Sequence, residues 1–74
     1  MTLTEKIKNA LTNAGLSIED YKFSVLEGDD VQVENADGSW GVGPLRDTLQ
    51  AALSSEYTIL SCAVNVVVTP RKRN

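Results

Sequence analysis

The first fifteen residues place apolar side chains at intervals of three and four, the spacing of one face of an α-helix. These apolar residues are Leu3, Ile7, Ala10, Leu11 and Ala14. Thr2 and Glu5 fit the Thr-x-x-Glu capping box that begins many helices. Gly15 stands where a glycine commonly ends a helix in a left-handed conformation, with Leu16 packing back on Leu11. The pattern therefore predicts a first helix that begins after Thr2 and ends at Gly15.

Beyond residue 20 the alternation of apolar and polar positions has a period of two, which is typical of strands. Residues 21–26 predict one strand, and residues 31–34 predict a second after an acidic turn. Asp37-Gly38 is a strong hairpin signal because both residue types tolerate a positive φ. We therefore expect a short third strand over residues 39–42.

The rest of the chain predicts a second helix followed by one long strand. Pro44 suits the first turn of a helix, and a stripe of leucine and alanine follows it through Leu53. Residues 56–70 then form an apolar run that Pro70 ends. As a single strand, this run places Cys62 on the core face, and Ile59 and Val67 on the opposite face.

The element order α-β-β-(β)-α-β has two helices, each with one apolar face, which need a sheet face to cover. We predict an α+β fold, a two-layer sandwich in which both helices pack on one face of a three- or four-stranded, mostly antiparallel sheet. Residues 1–69 are expected to form a single domain, and residues 70–74 a flexible basic tail.

Composition removes most catalytic and metal chemistry. The 74 residues include no histidine and one cysteine, so the common general base and the common zinc ligands are missing. We expect a protein that is not an enzyme, with no catalytic residues, no cofactor and no metal. No apolar run approaches the roughly 20 residues that span a membrane, and the N-terminus lacks the pattern of a secretory signal. A cytoplasmic location is the expectation.

The net charge of −3 conceals a strong segregation of charge. Residues 19–37 contain seven acids and one base, Lys22, whereas the tail carries Arg71, Lys72 and Arg73. The seven acids are Glu19, Asp20, Glu27, Asp29, Asp30, Glu34 and Asp37. Such a surface disfavours general nucleic-acid binding. It has two interpretations, a docking face for a basic partner or a solvated face that only keeps the protein in solution.

Three local motifs favour structural interpretations over chemistry. The glycine-rich residues 38–43 precede a helix, but Pro44 removes a donor that an anion site would use, so a strand-to-helix corner is favoured. Residues 35–39 resemble part of a calcium loop, but Val33 and Pro44 stand where that loop needs acids. Cys62 is expected in the core. Trp40 has two interpretations, as core filling or as an interface residue.

These observations predict a small protein-binding module. One form of such a module is an inhibitor that docks on a basic partner, of the kind that some viruses encode. The expected partner is another protein, either basic or itself nucleic-acid-binding, with no membrane contact. The candidate partner-binding residues are Glu27, Asp29, Asp30, Glu34, Asp37, Trp40, Ile59 and Val67. Two alternatives stay open. One is a nucleic-acid-binding domain that uses the tail, Arg46, Lys6 and Lys8. The other is a structural subunit or homodimer assembled by pairing of sheet edges.

Overall fold

The computed structural model describes residues 2–71 as two helices and four strands. The helices are α1 (Leu3–Asn13) and α2 (Gly43–Leu53). The strands are β1 (Tyr21–Val25), β2 (Val31–Asn35), β3 (Tyr57–Ser61) and β4 (Asn65–Pro70). Short 3-10 turns precede β1 at Ile18–Asp20 and join β1 to β2 at Glu27–Asp29.

Both ends of α1 are set by local hydrogen bonds, as the sequence predicts. The Thr2 hydroxyl accepts a hydrogen bond from the Glu5 N–H at 3.2 Å. At the other end the Leu16 N–H donates to the Leu11 carbonyl at 2.9 Å, the long bond of a Schellman ending. Gly15 adopts a φ of +82° there. The capping residues therefore fix the length of the helix independently of the sheet.

The four strands form one antiparallel sheet in the order β1-β2-β4-β3. Both helices pack on one face of this sheet, so the predicted α+β two-layer architecture is confirmed. β1 and β3 lie at the two edges, and β4 pairs with both β2 and β3. The opposite face of the sheet carries no layer among residues 2–71.

The core lies between the helices and the two central strands. Each helix contributes two fully buried residues, Ile7 with Leu11 and Leu45 with Leu49. Each central strand contributes two valines, and Val42 completes the cluster just before α2. The four valines are Val31, Val33, Val66 and Val68. All of these side chains are apolar, so the core is stabilised by exclusion of water rather than by polar contacts.

The two halves of the chain have the same order of elements, one helix followed by two antiparallel strands. β2 and β4 meet at the centre, with Val31 opposite Val68 and Val33 opposite Val66. This pairing and the strand order β1-β2-β4-β3 both stay the same when the two halves are exchanged, so the arrangement of strands is approximately symmetric about the centre of the sheet. The sequence does not predict this arrangement, because corresponding positions of the two halves share apolar character but little sequence identity.

The prediction of a third strand over residues 39–42 is wrong, because this segment forms no strand in the described chain. Val42 turns into the core while Trp40 stays 77% exposed. Of the two interpretations of Trp40, core filling is therefore wrong. The turn at Asp37-Gly38 exists, with the Gly38 N–H donating to the Asn35 carbonyl at 3.0 Å, but it leads into α2 rather than into a hairpin.

The prediction of a single long strand over residues 56–70 is wrong as well, because this apolar segment folds back on itself to form β3 and β4. The Cys62 N–H donates to the Asn65 carbonyl at 2.9 Å and closes the hairpin. Cys62 lies in this turn and is exposed, not buried. Ile59 packs against the core, whereas Val67 lies on the opposite face beside Leu60. A turn inside an apolar run changes which positions share a face, and alternation alone does not reveal such a turn.

Only part of the predicted basic tail lies within the described residues. Pro70 is the last residue of β4, and the Arg71 N–H donates to the Glu56 carbonyl at 3.3 Å. Residues 72–74 lie outside the described part of the chain. Across residues 2–71, no helix combines the length and apolar character that a membrane crossing requires.

Candidate protein-binding surface

The acids singled out by the sequence lie on one structural unit, which we call the acidic hairpin (residues 19–37, containing β1 and β2). The fold places three of them at each end of this unit and one, Glu34, between the ends. Glu27, Asp29 and Asp30 lie at the closed end, where β1 turns into β2. Glu19, Asp20 and Asp37 lie at the open end, beside the last residue of β2. These residues are exposed, except for Asp30, which is half-buried.

The closed end is a tight turn held by the backbone. Gly28 and Asp29 both have a positive φ, at 74° and 66°, and the Leu26 N–H donates to the Asp30 carbonyl at 2.7 Å. Glycine adopts this conformation without strain, and aspartate tolerates it better than most residues. The residue types that make the turn therefore also supply its negative charge.

The open end is held by side chains that bond to the loop after β2. The Asp37 carboxylate accepts a hydrogen bond from the Ser39 N–H at 2.9 Å, and the Asn35 amide donates to the Ser39 carbonyl at 3.0 Å. Hydrogen bonds from Ser39 hold the pKa of Asp37 below its usual value, because they favour the charged form. Asp37 therefore keeps its charge to a lower pH than an ordinary aspartate while it orders the loop.

Trp40 projects from this ordered loop between two shallow depressions. One depression is acidic and includes Glu19, Asp20 and Asp37. The other lies at the start of α2 and includes Arg46 and Cys62. A tryptophan that is 77% exposed and adjacent to charged side chains has the character of an interface residue rather than of a core residue.

Two of the five cations in residues 2–71, Lys6 and Arg46, are paired away from the acidic hairpin, whereas the Lys8 ammonium lies 5.3 Å from the centre of the Phe23 ring on β1. Lys6 donates to the Tyr57 hydroxyl at 3.1 Å and lies 3.9 Å from Glu56. The hydrogen bond to Tyr57 is the main cause that raises the pKa of Lys6. Arg46 pairs with Asp47 at 2.9 Å. Within residues 2–71, the ion pairs include none of the seven acids of the hairpin.

Glu34 differs from the other six acids because it lies on β2 itself. Its Cα partner across the sheet is Lys22 on β1, so both side chains belong to the uncovered face. Glu34 is half-buried. Its charge therefore stands near a cation and adds less to the net negative field than the acids at the two ends.

In the apolar part of the predicted site, Leu60 takes the place that the sequence assigned to Ile59. Val67 lies on the uncovered face as expected, but its neighbour there is Leu60, which is 55% exposed. Ile59 contributes to the core instead. The sequence prediction missed Leu60 for the same reason that it misplaced Ile59, namely the turn at residues 62–64.

The glycine-rich corner before α2 offers little to an anion. Val42 is the N-cap residue and supplies no side-chain cap, and Pro44 lies in the first turn. Both Nε and Nη2 of Arg46 donate to the Asp47 carboxylate, at 3.2 and 2.9 Å. The nearest cation is therefore already paired with a carboxylate, which supports the interpretation of residues 38–43 as a corner.

The arrangement presents charged and apolar surfaces rather than converging reactive groups. In the described residues, no group of three or more cysteine, aspartate or glutamate side chains is close enough to hold a metal ion. Comparison with protein-family models, with curated proteins and with solved structures finds no match for this chain.

Proposed function

We propose that the chain is a small protein-binding module that docks on a basic surface of another protein through the acidic hairpin. The observation that carries this proposal is the concentration of carboxylates at both ends of one hairpin, without cation partners in residues 2–71. Complementary charge of this kind steers association and excludes wrong partners more than it raises affinity.

Apolar residues beside the carboxylates supply the contacts that charge alone does not. Val25 is 71% exposed and Leu26 is 40% exposed, next to the closed end. Trp40 stands beside the open end. Interfaces commonly combine a small apolar centre with a charged rim, and the acidic hairpin offers both within one unit.

The test is a charge reversal at the closed end. The double variant Glu27→Lys, Asp30→Lys changes the net charge by about +4 and leaves Asp29 in place, because lysine would be strained at its φ of 66°. The chain is immobilised, proteins of its native cell are captured, and the association rate of the retained protein is measured from 50 to 300 mM NaCl. At low salt we expect the association rate of the double variant to be at least about tenfold lower than that of the original chain. The difference between the two rates is expected to shrink as salt screens the charges.

A matched control places the same charge change elsewhere. Asp47→Lys with Glu56→Lys also changes the net charge by about +4, but on α2 and just before β3. The control is expected to bind nearly as fast as the original chain. Equal rates for the two double variants would contradict docking through the acidic hairpin, and retention of nucleic acid in place of protein would favour the alternative function.

A further inference from the structure

The outer edge of β1 has backbone groups that point away from the sheet. The Ala36 N–H donates to the Asp20 carbonyl and the Leu26 N–H donates to the Asp30 carbonyl. Both pairs fit the β1–β2 register, so the even-numbered residues of β1 bond to β2. In an antiparallel ladder the hydrogen-bonded pairs alternate with pairs whose peptide groups face outward. The peptide groups of Phe23 and Val25 therefore face away from β2.

No neighbour within the described residues takes up the outward groups of Phe23 and Val25. The Tyr21 N–H is different, because it donates to the Ile18 carbonyl. An exposed edge of this kind is a template for a further strand, and proteins usually protect it with short strands, charge or a covering segment. β1 has five residues, and its two ends carry the acids of the hairpin.

We propose that the β1 edge accepts an extended, basic segment of the partner protein as a fifth strand. This proposal rests on the proposed function and specifies how the partner binds. A five-residue strand spans about 13 Å at about 3.3 Å per residue. A segment with cations at both ends and alternating small apolar residues between them would pair with the peptide groups while its cations meet the acids.

Charge selects this occupant over a second copy of the chain. If two β1 edges paired in antiparallel fashion, Glu27 of each copy would approach Glu19 and Asp20 of the other. Like charges brought together across a strand pair are destabilising. The acids therefore oppose self-assembly through this edge and favour a partner of opposite charge.

The β3 edge provides an internal comparison. Its residues Tyr57–Ser61 carry no charge, and a single acid, Glu56, precedes the strand. The Cys62–Asn65 bond sets the alternation, so the peptide group of Ile59 faces outward as that of Phe23 does. The two edges thus offer similar backbone groups and differ in charge, because β1 carries Lys22 and has acids at both ends, whereas β3 is uncharged and has one acid before it.

The experiment uses a defined probe, the acetylated and amidated peptide Lys-Lys-Val-Thr-Val-Thr-Val-Lys-Lys. Binding is followed by NMR at 50 mM NaCl, and amide hydrogen exchange is measured at saturation. We expect exchange at Phe23 and Val25 to slow about tenfold or more, with no slowing at Ile59. A peptide with glutamate in place of its four lysines is expected to give no slowing at either edge.

Two N-methylated peptides test backbone pairing directly. One carries methyl groups on the valine amides and the other on the threonine amides, so only one of them blocks the side that faces β1. We expect one analogue to bind at least about tenfold more weakly than the other, because paired strands lose several hydrogen bonds at once. Equal affinity of the analogues, absence of binding at millimolar peptide, or equal slowing at Ile59 would each overturn the proposal.

These readouts separate the edge proposal from the proposed function. If the charge reversal slows partner association but the probe leaves Phe23 and Val25 unprotected, docking through the acidic hairpin holds and the fifth strand is rejected. If the charge reversal has no effect on the partner, the proposed function fails, whatever the probe does.

Discussion

Single residues decide where α1 begins and ends. Thr2 accepts the Glu5 N–H at the start, and Gly15 adopts a φ of +82° at the finish. A side chain built on Gly15 would contact nothing within 4 Å. The need for glycine at this position therefore comes from the backbone conformation and not from crowding.

Replacement of Gly15 by alanine tests this backbone requirement. Gly15→Ala is expected to lower the free energy of unfolding by about 1–2 kcal/mol, the cost of a left-handed conformation for a residue with a Cβ. Urea denaturation measures the change. Gly43→Ala is the matched control, since Gly43 begins α2 with no positive φ and an equally open surrounding. An equal loss of stability in both variants would contradict the assignment.

The hairpin of β3 and β4 is the element in which sequence and structure differ most. Residues 56–70 alternate well enough to resemble one long strand, yet the turn at residues 62–64 reverses the chain. As a result Ile59 faces the helices and Leu60 faces outward. Pairing of the run with itself also places β4 between β2 and β3, so that only β3 of this run lies at a sheet edge.

Replacing Ile59 and Leu60 by alanine, one at a time, tests which of the two side chains lies in the core. Ile59→Ala is expected to lower the free energy of unfolding by about 2 kcal/mol, the lower end for a core isoleucine. Leu60→Ala is expected to change it by less than about 0.5 kcal/mol, as for most surface positions. Chemical denaturation of both variants gives the comparison. A larger loss of stability in Leu60→Ala than in Ile59→Ala would instead support the interpretation of residues 56–70 as a single strand.

At the scale of the molecule, the two halves depend on each other for their core. The valine pairs of β2 and β4 lie opposite each other at the centre of the sheet, and one helix from each half covers them. Each half has a single helix and a single hairpin, which is too little apolar burial for a fold of its own.

Separation of the halves tests this dependence. Peptides of residues 1–38 and 39–74 are each expected to lack a cooperative thermal transition, whereas the full chain is expected to unfold in one step. Circular dichroism of each peptide provides the measurement, and their equimolar mixture shows whether the halves reassociate. A cooperative transition in either peptide alone would show that the half folds independently.

The candidate surface could be predicted from the sequence only in part. The acids of residues 19–37 were identifiable from the sequence alone, and five of the seven are exposed. Their division between two ends of one hairpin required the strand pairing. The exposure of Trp40 required the loop held by Asn35 and Asp37, a set of polar contacts that hydrophobic patterning does not register.

The sequence alone determined the features that depend on near neighbours along the chain. Helix caps, helix faces and the alternation of β1 and β2 follow from residues within a few positions of each other. Tertiary structure decided which strands are neighbours, where the apolar run reverses, and that Leu60 rather than Ile59 faces outward. These features depend on contacts between residues far apart in sequence, and the same apolar pattern satisfies more than one such pairing until the core is closed.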